Sequence, residues 1–194
     1  MVGLSEYVRV FTAVELDGEL RRAIFAEGRE LLDGLGKSTS VSEENLHVTL
    51  KFVGDVHRDE LALLSESVAE CATVLRPGHV EVHGAGVFPD YGRPRIVWAG
   101  VSDPEGILTA VFERLNEEMT VFGAKREHRR FSPHVTLARV RGRFDGRALE
   151  ERIHRAGELW FGSLAVDAVT LFMSELERGE APRYTALGHY GAAP

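Results

Sequence analysis

A short β-strand pattern that occurs twice constrains the fold of this chain more than any other sequence feature. Residues 46–50 read Leu-His-Val-Thr-Leu, and residues 133–137 read Pro-His-Val-Thr-Leu. Val, Thr and Leu favour a pleated, half-buried surface, and a glycine follows each run. The second histidine comes 134 − 47 = 87 residues after the first, about the length of half a small domain. The repeat therefore predicts two related lobes whose motif strands face each other.

Each copy has a polar face and an apolar face, because side chains two residues apart in a strand share a face. In the first copy, His47 and Thr49 are predicted on one face, with Val48, Leu50 and Phe52 on the other. The apolar face is suited to a core. The polar face is either a catalytic surface or a solvent-exposed edge of the sheet with no catalytic role.

The second copy repeats this arrangement, with His134 and Thr136 on its polar face. An imidazole gives or takes a proton near neutral pH, and a threonine hydroxyl hydrogen-bonds a phosphate oxygen without adding charge. Two histidines also suit zinc, but no third ligand follows at a recognisable spacing. We therefore predict acid/base chemistry on a phosphate, with no metal and no cofactor.

Charge is distributed unevenly along the 194 residues. The formal net charge of −7 argues against a protein that coats nucleic acid through broad electrostatics. Between Gly123 and Arg147, however, eight basic residues face two acidic ones, a local excess of +6 around the second motif. This segment is either a solvated loop or an anion funnel for a phosphodiester substrate.

The expected compartment follows from what the sequence lacks. No apolar run approaches the roughly 20 residues of a membrane helix, and the N-terminus has no charged-then-apolar signal pattern. The single cysteine, Cys71, lies in a predicted helix and reads as a core residue. We expect a cytoplasmic protein.

Strands and helices alternate along the rest of the chain. Hydrophobic periodicity predicts helices over 16–34, 58–75, 104–122 and 145–158, and a polar loop over 37–44. Strands are predicted at 8–14, 80–83, 96–101, 163–174 and 184–190, with Gly84 ending the second of them. The hydrophobic content of 44% suffices for one compact unit or two small lobes.

The chain resembles the 2H phosphoesterases and, within them, the RNA 2′,3′-cyclic phosphodiesterases once named 2′-5′ RNA ligases. That family is named for two His-x-Thr-x motifs, which match residues 47–50 and 134–137 here. Similar flanking segments cover nearly the whole chain, at 10–13, 46–55, 86–89, 131–140 and 171–176.

The resemblance implies an α+β fold over residues 1–194, a single bilobal domain. Each lobe would be an antiparallel sheet with helices on its outer face, and the active-site cleft would lie between the lobes. It implies metal-independent hydrolysis of a 2′,3′-cyclic phosphate to a 2′-phosphate, with RNA or a nucleotide as substrate and the protein as a monomer. The catalytic residues would be His47, Thr49, His134 and Thr136. We take His134 as base and His47 as acid, although the symmetry of the motifs does not fix this order.

Substrate contacts are expected from Phe11, Arg130, Arg139 and Tyr184. The resemblance places Phe11 where a base could stack, and places Ser132 where the family often has a basic residue, a contact that Arg129 or Arg130 could supply. Plain alternation puts Arg139 on the face opposite His134. Either a bulge or strand end redirects Arg139, or its role is structural.

Two other functions remain open at this point. The same residues run in reverse could join a 2′,3′-cyclic end to a 5′-hydroxyl, which is 2′-5′ RNA ligation. A non-catalytic nucleotide-binding module is the third possibility, although retention of both histidines and both threonines argues against it.

Overall fold

The computed structural model describes residues 6–157, 159–176 and 181–191. Nine strands lie within them: β1 (Tyr7–Glu15), β2 (Gly36–Ser40), β3 (His47–His57), β4 (Gly78–Phe88), β5 (Ile96–Ser102), β6 (His134–Phe144), β7 (Trp160–Val166), β8 (Ala168–Glu175) and β9 (Arg183–Gly191). The four α-helices are α1 (Gly18–Leu32), α2 (Leu61–Ala72), α3 (Ile107–Glu118) and α4 (Gly146–Ala156). The predicted end of α4 at residue 158 lies outside the described residues.

All strand pairings are antiparallel and form one sheet in the order β7-β4-β5-β6-β3-β1-β8-β9, with β2 paired to β6. The two motif strands, β3 and β6, are neighbours at the middle of this order. They meet through a single register pair, Val48 with Val135. The prediction of an α+β fold with two similar lobes is confirmed: β3, β1, β8 and β9 form one half, and β7, β4, β5 and β6 form the other.

The helices cover the sheet on the face opposite the motif histidines. Helices α2 and α3 pack against each other and against the half that contains the first motif, while α1 and α4 pack against the other half. Asp17 caps α1 by accepting hydrogen bonds from the Glu19 and Leu20 backbone N–H groups. The core beneath the helices includes Val48 and Val135, both fully buried. The motif strands are thus anchored on one face and open on the other.

Three elements differ from the sequence prediction. The stretch 163–174, predicted as one strand, is two strands in different halves of the sheet, since β7 pairs with β4 and β8 pairs with β1. The segment predicted as a polar loop contains the strand β2, whose exposed residues show no hydrophobic alternation, so pairing with β6 alone defines it. The strand predicted to end at Gly84 continues to Phe88, because Gly84 adopts a positive φ of 67° and forms a bulge instead of a break.

Candidate active site

Both motif histidines are held in the same way. His47 Nδ1 lies 2.7 Å from the carbonyl oxygen of Asn45, and His134 Nδ1 lies 2.8 Å from that of Ser132. A carbonyl oxygen only accepts, so each Nδ1 carries the proton and donates it. Each Nε2 is therefore the nitrogen left for proton transfer, which is the tautomer that acid/base chemistry at the cleft requires.

The threonines lie on the histidine face, as predicted. His47 Nε2 is 2.9 Å from Thr49 Oγ1, so in the neutral state of His47 the Thr49 hydroxyl donates to it. Thr136 pairs with Trp98, two rows along from the pair of Gly100 with His134, so Thr136 lies on the same face as His134.

A β-bulge follows each motif at the equivalent residue. Leu50 is the extra residue between the pairs that Thr49 and Lys51 form with β1, and Leu137 is the extra residue between the pairs that Thr136 and Ala138 form with β5. At each bulge two consecutive side chains point into the core, so the alternation of faces is reversed beyond it.

The bulges correct one prediction and settle another. Phe52 was predicted on the apolar face, but its side chain is 51% exposed and stacks on Phe11 on the histidine face. Arg139, the equivalent residue 87 positions later, pairs with Ile96 on the face of His134. Of the two alternatives for Arg139, the structure therefore shows the bulge that redirects it into the cleft.

Both histidines favour the neutral form in the ligand-free protein. Burial lowers the pKa of His47 to about 4, and the positive charge of Arg139 and the neighbouring His134 act in the same direction. Burial likewise lowers the pKa of His134, again assisted by Arg139. The hydrogen bonds to Asn45 and Ser132 oppose these shifts without cancelling them. A bound anion would favour the protonated form of either ring.

Aromatic rings enclose His47. Phe11 lies 5.0 Å from it between ring centroids, and Tyr184 lies 5.4 Å away with its plane nearly perpendicular. Phe11 is only 1% exposed, because the rings of Phe52, Phe172 and Tyr184 cover it. The structure therefore leaves Phe11 no free face on which a base could stack, contrary to the prediction, and gives it the task of holding His47.

Tyr184 is brought to the site as predicted from the resemblance. With His47 and Phe172 it lines a cavity of about 210 Å³ whose opposite wall includes Arg21 and Glu44. Burial raises the pKa of Tyr184, while the charge of Arg139 acts in the opposite direction. The Tyr184 hydroxyl is therefore a hydrogen-bond donor at neutral pH.

Arg130 is exposed on the segment that leads into the second motif. With Arg129 and Ser132 it lines a groove of about 800 Å³ that reaches Trp98, the cross-strand partner of Thr136. The two arginines thus line the same groove as Ser132, the position where the family often has a basic residue.

A buried lysine was not anticipated. Lys51, 1% exposed, donates to Asn116 Oδ1 and to the Lys125 carbonyl oxygen, both at 2.7 Å, and to Glu127 Oε1 at 3.1 Å. Asn116 also pairs with the backbone N–H and carbonyl of Glu127. This network holds the start of the segment that carries Arg129 and Arg130. The sequence signal for it was weak, a single lysine in an otherwise apolar strand.

Among residues 6–157, 159–176 and 181–191, no group of three His, Cys, Asp or Glu side chains is arranged to hold a metal ion. The same residues contain no helix that is long and apolar enough to cross a membrane. Burial raises the pKa of the Cys71 thiol to about 11, which disfavours a nucleophilic thiolate.

Comparison with known proteins identifies the family that has this architecture. Residues 19–176 match the family model described as the 2′-5′ RNA ligase superfamily. The chain belongs to the 2′-5′ RNA ligase superfamily. Among its curated relatives, proteins named RNA 2′,3′-cyclic phosphodiesterase from Methanothermobacter thermautotrophicus and Aeropyrum pernix are 35% and 34% identical to it. The first alignment covers 92% of this chain and 95% of the relative, and the second covers 79% and 86%.

Solved structures share the fold over nearly the whole chain. Escherichia coli LigT in complex with 3′-AMP superimposes with a TM-score of 0.77 at 26% identity, covering 97% of this chain and all of that one. A protein of Thermus thermophilus gives a TM-score of 0.74 at 26% identity, covering 94% and 97%. The 2H phosphoesterase fold expected from the twin motifs is confirmed.

Proposed function

We propose that this protein is an RNA 2′,3′-cyclic phosphodiesterase that hydrolyses the cyclic phosphate to a 2′-phosphate without a metal. The observation that carries the proposal is the pair of histidines on one face of the sheet. Each has Nδ1 fixed by a carbonyl, which leaves Nε2 for proton transfer, in His47 beside the Thr49 hydroxyl. The names of the curated relatives support the same activity.

The reaction needs one proton acceptor and one proton donor on opposite sides of phosphorus. We propose that His134 Nε2 takes a proton from water as the water oxygen attacks phosphorus. The bond from phosphorus to the ribose O3′ breaks, and His47 Nε2 gives its proton to O3′. Water thus supplies the new oxygen, and the product is a 2′-phosphate with a free 3′-hydroxyl.

The non-bridging phosphate oxygens need donors throughout. Thr49 and Thr136 each offer a hydroxyl beside a histidine, and Arg139 offers a guanidinium on the same face. Such donors act most strongly where charge develops in the transition state. The anionic phosphate also favours the protonated imidazole, so substrate binding can supply the proton affinity that ligand-free His47 lacks.

Substitution of each histidine tests the proposal. His47→Ala and His134→Ala should each abolish measurable hydrolysis of uridine 2′,3′-cyclic phosphate in excess chelator. His57→Ala, which removes a half-buried histidine that pairs with Asp59, should not. Phosphorus NMR of the products reports turnover and regiochemistry together. Full activity of either motif variant, or loss of activity that zinc restores, would refute the two-histidine reading.

The order of the two roles has its own test. A substrate in which sulfur replaces O3′ has a leaving group that needs no protonation. The variant that lacks the acid should then regain activity on the sulfur substrate, and the variant that lacks the base should not. With the roles proposed here, recovery is expected for His47→Ala.

Ligation is the second candidate, because the matching family is described by that activity. Attack on the cyclic phosphate by a 5′-hydroxyl in place of water would use the same two imidazoles. Incubating one pair of tRNA halves and measuring joined and hydrolysed ends together gives the ratio of the two reactions. Hydrolysis is expected to exceed ligation, since water competes at high concentration.

We further propose that residues 1–194 act as a single bilobal domain and as a monomer in the cytoplasm. One chain supplies both motifs, so the proposed site is complete without a partner. A chain with one cysteine, Cys71, needs no oxidising compartment to fold. Light scattering of the purified protein checks the monomer, and fractionation of cells checks the compartment.

A further inference from the structure

The sheet half that contains the second motif carries an aligned row of side chains on its cleft face. Trp160 of β7 pairs with His83 of β4, His83 pairs with Gly100 of β5, and Gly100 pairs with His134 of β6. Cross-strand partners point to the same face of a sheet. Four adjacent strands therefore place Trp160 in line with His134. Three strand spacings put it about 14 Å away along the sheet.

The rings along this row are open to a ligand. Trp160 is 60% exposed, and the indole and the His83 imidazole lie parallel, 6.5 Å apart between centroids and 18° between planes. A bulge at Phe161, the extra residue between the pairs that Gly162 and Trp160 form with β4, turns the Trp160 ring to the cleft face, where alternation along β4 already places His83.

A second aromatic pair occupies the neighbouring rows, nearer the catalytic histidine. The Trp98 indole lies flat on Gly86, where a Cβ would come within 2.4 Å of the ring. Phe88 lies 5.2 Å from Trp98 and presents its edge to His134 at 5.1 Å. Any side chain in place of Gly86 would displace the indole, so the glycine fixes a flat aromatic surface beside His134. The described cleft face is thus aromatic from His134 to the sheet edge.

Cations border this aromatic surface. The groove of about 800 Å³ that reaches Trp98 and Gly100 is lined on its other side by Arg129 and Arg130. Its wall also contains acidic residues, namely Asp103, Glu113 and Glu127. Asp103 is engaged in capping α3 through Thr109, and Glu127 is paired with Lys51. Glu113 and the two arginines also line this groove, and the arginines favour a ligand that carries negative charge.

We propose that this aromatic surface (Trp98, Phe88, His83 and Trp160) binds the RNA strand that precedes the cyclic end. Neighbouring aromatic rings beside arginines are what proteins use to stack successive bases and contact the backbone of single strands. The inference rests on the proposed function and sharpens its substrate class: short single-stranded RNA ends in preference to free cyclic mononucleotides.

Kinetics on substrates of two lengths test the proposal. A trinucleotide ending in a 2′,3′-cyclic phosphate should be hydrolysed with a higher kcat/KM than uridine 2′,3′-cyclic phosphate. Trp160→Ala should lower the ratio of the two values roughly five- to tenfold, as loss of one stacked base does. Trp160→Phe should largely preserve the ratio. Tyr7→Ala is the matched control, because Tyr7 is similarly exposed and also pairs with a histidine, in the other half of the sheet.

A binding measurement separates this proposal from the proposed function. The chain contains two tryptophans, so the fluorescence of the Trp98→Phe variant reports on Trp160 alone. Titration with a trinucleotide that ends in a 2′-phosphate should quench that fluorescence, while uridine 2′-phosphate should not. This readout does not depend on turnover. Absence of quenching, no preference for the trinucleotide, or an equal loss on both substrates in Trp160→Ala would overturn the RNA path, even if the mononucleotide is hydrolysed normally.

Discussion

The dependence of kcat/KM on pH should reveal that both catalytic histidines have lowered pKa values. The reaction requires one neutral and one protonated imidazole, so the productive fraction of free enzyme is largest between the two pKa values. Burial lowers the pKa of His47 to about 4 and lowers the pKa of His134 from its ordinary value of 6.5. The maximum of kcat/KM should therefore lie on the acidic side of pH 6.5, with losses on both sides.

The size of the alkaline loss follows from the same values. Above the higher pKa, the fraction of enzyme that still holds the needed proton falls tenfold per pH unit. Because that pKa lies below 6.5, kcat/KM at pH 8.5 should be at least about a hundredfold below its maximum. The profile of kcat should be displaced to higher pH, since the bound anionic phosphate raises the pKa of both rings.

Initial rates with uridine 2′,3′-cyclic phosphate between pH 4 and 9 provide the measurement, because uracil has no group that titrates over most of this range. The protein's far-UV circular dichroism at each pH is the control for unfolding. A kcat/KM that stays level or rises between pH 6.5 and 8.5 would refute the reasoning. It would show that the acid is not a histidine with a lowered pKa, and the Tyr184 hydroxyl would become the next candidate.

Three further predictions follow from individual contacts. Arg139→Gln should lower kcat/KM roughly tenfold to a thousandfold, because it removes a hydrogen-bond donor to the phosphate. It should also move both limbs of the pH profile to higher pH, because the Arg139 charge lowers the pKa of both histidines. Limbs that stay at the same pH would contradict the placement of the guanidinium. Thr136→Ala should cost roughly tenfold to a thousandfold in kcat with little change in folding, and an unchanged kcat would exclude it as a donor. Lys51→Met should destabilise the fold by about 2–4 kcal/mol, or roughly 5–12 °C in Tm, because a buried set of hydrogen bonds to a charged donor is lost. Glu127→Gln, which removes only the half-exposed partner, should cost under about 1 kcal/mol, and equal losses in the two variants would refute the role of the buried acceptors.

The four motif residues could be predicted from strand alternation and an internal repeat, and the fold class from the family resemblance that these motifs carry. Alternation put His47 and Thr49 on one face, and an 87-residue repeat implied a second, facing copy. Most helices and strands followed from hydrophobic periods of 3.6 and 2. The strand β2 did not, since its polar residues have no period and it exists only through its pairing with β6.

Two of the wrong or open predictions at the site concern residues that lie beyond a bulge. Plain alternation placed Phe52 and Arg139 away from the histidines, and the structure places both beside them. A bulge depends on how two strands pair, and the single strand carries no signal for it. Phe11 was assigned a base-stacking role because the family resemblance places it near the site. Only the packing of three other rings over it shows that it is covered.

The matched bulges also explain how two nearly identical motifs can bind an asymmetric substrate. Equivalent positions on the cleft face hold an exposed ring, Phe52, beside the first motif and a guanidinium, Arg139, beside the second. The equivalent core positions differ as well. Lys51 hydrogen-bonds the segment that carries Arg129 and Arg130, whereas Ala138 is an apolar residue buried in the core. The imidazoles can therefore be interchangeable in geometry while the surfaces around them are not. Anionic groups are drawn toward the second motif, and the orientation of the substrate, rather than any difference between the motifs, decides which imidazole meets the leaving oxygen.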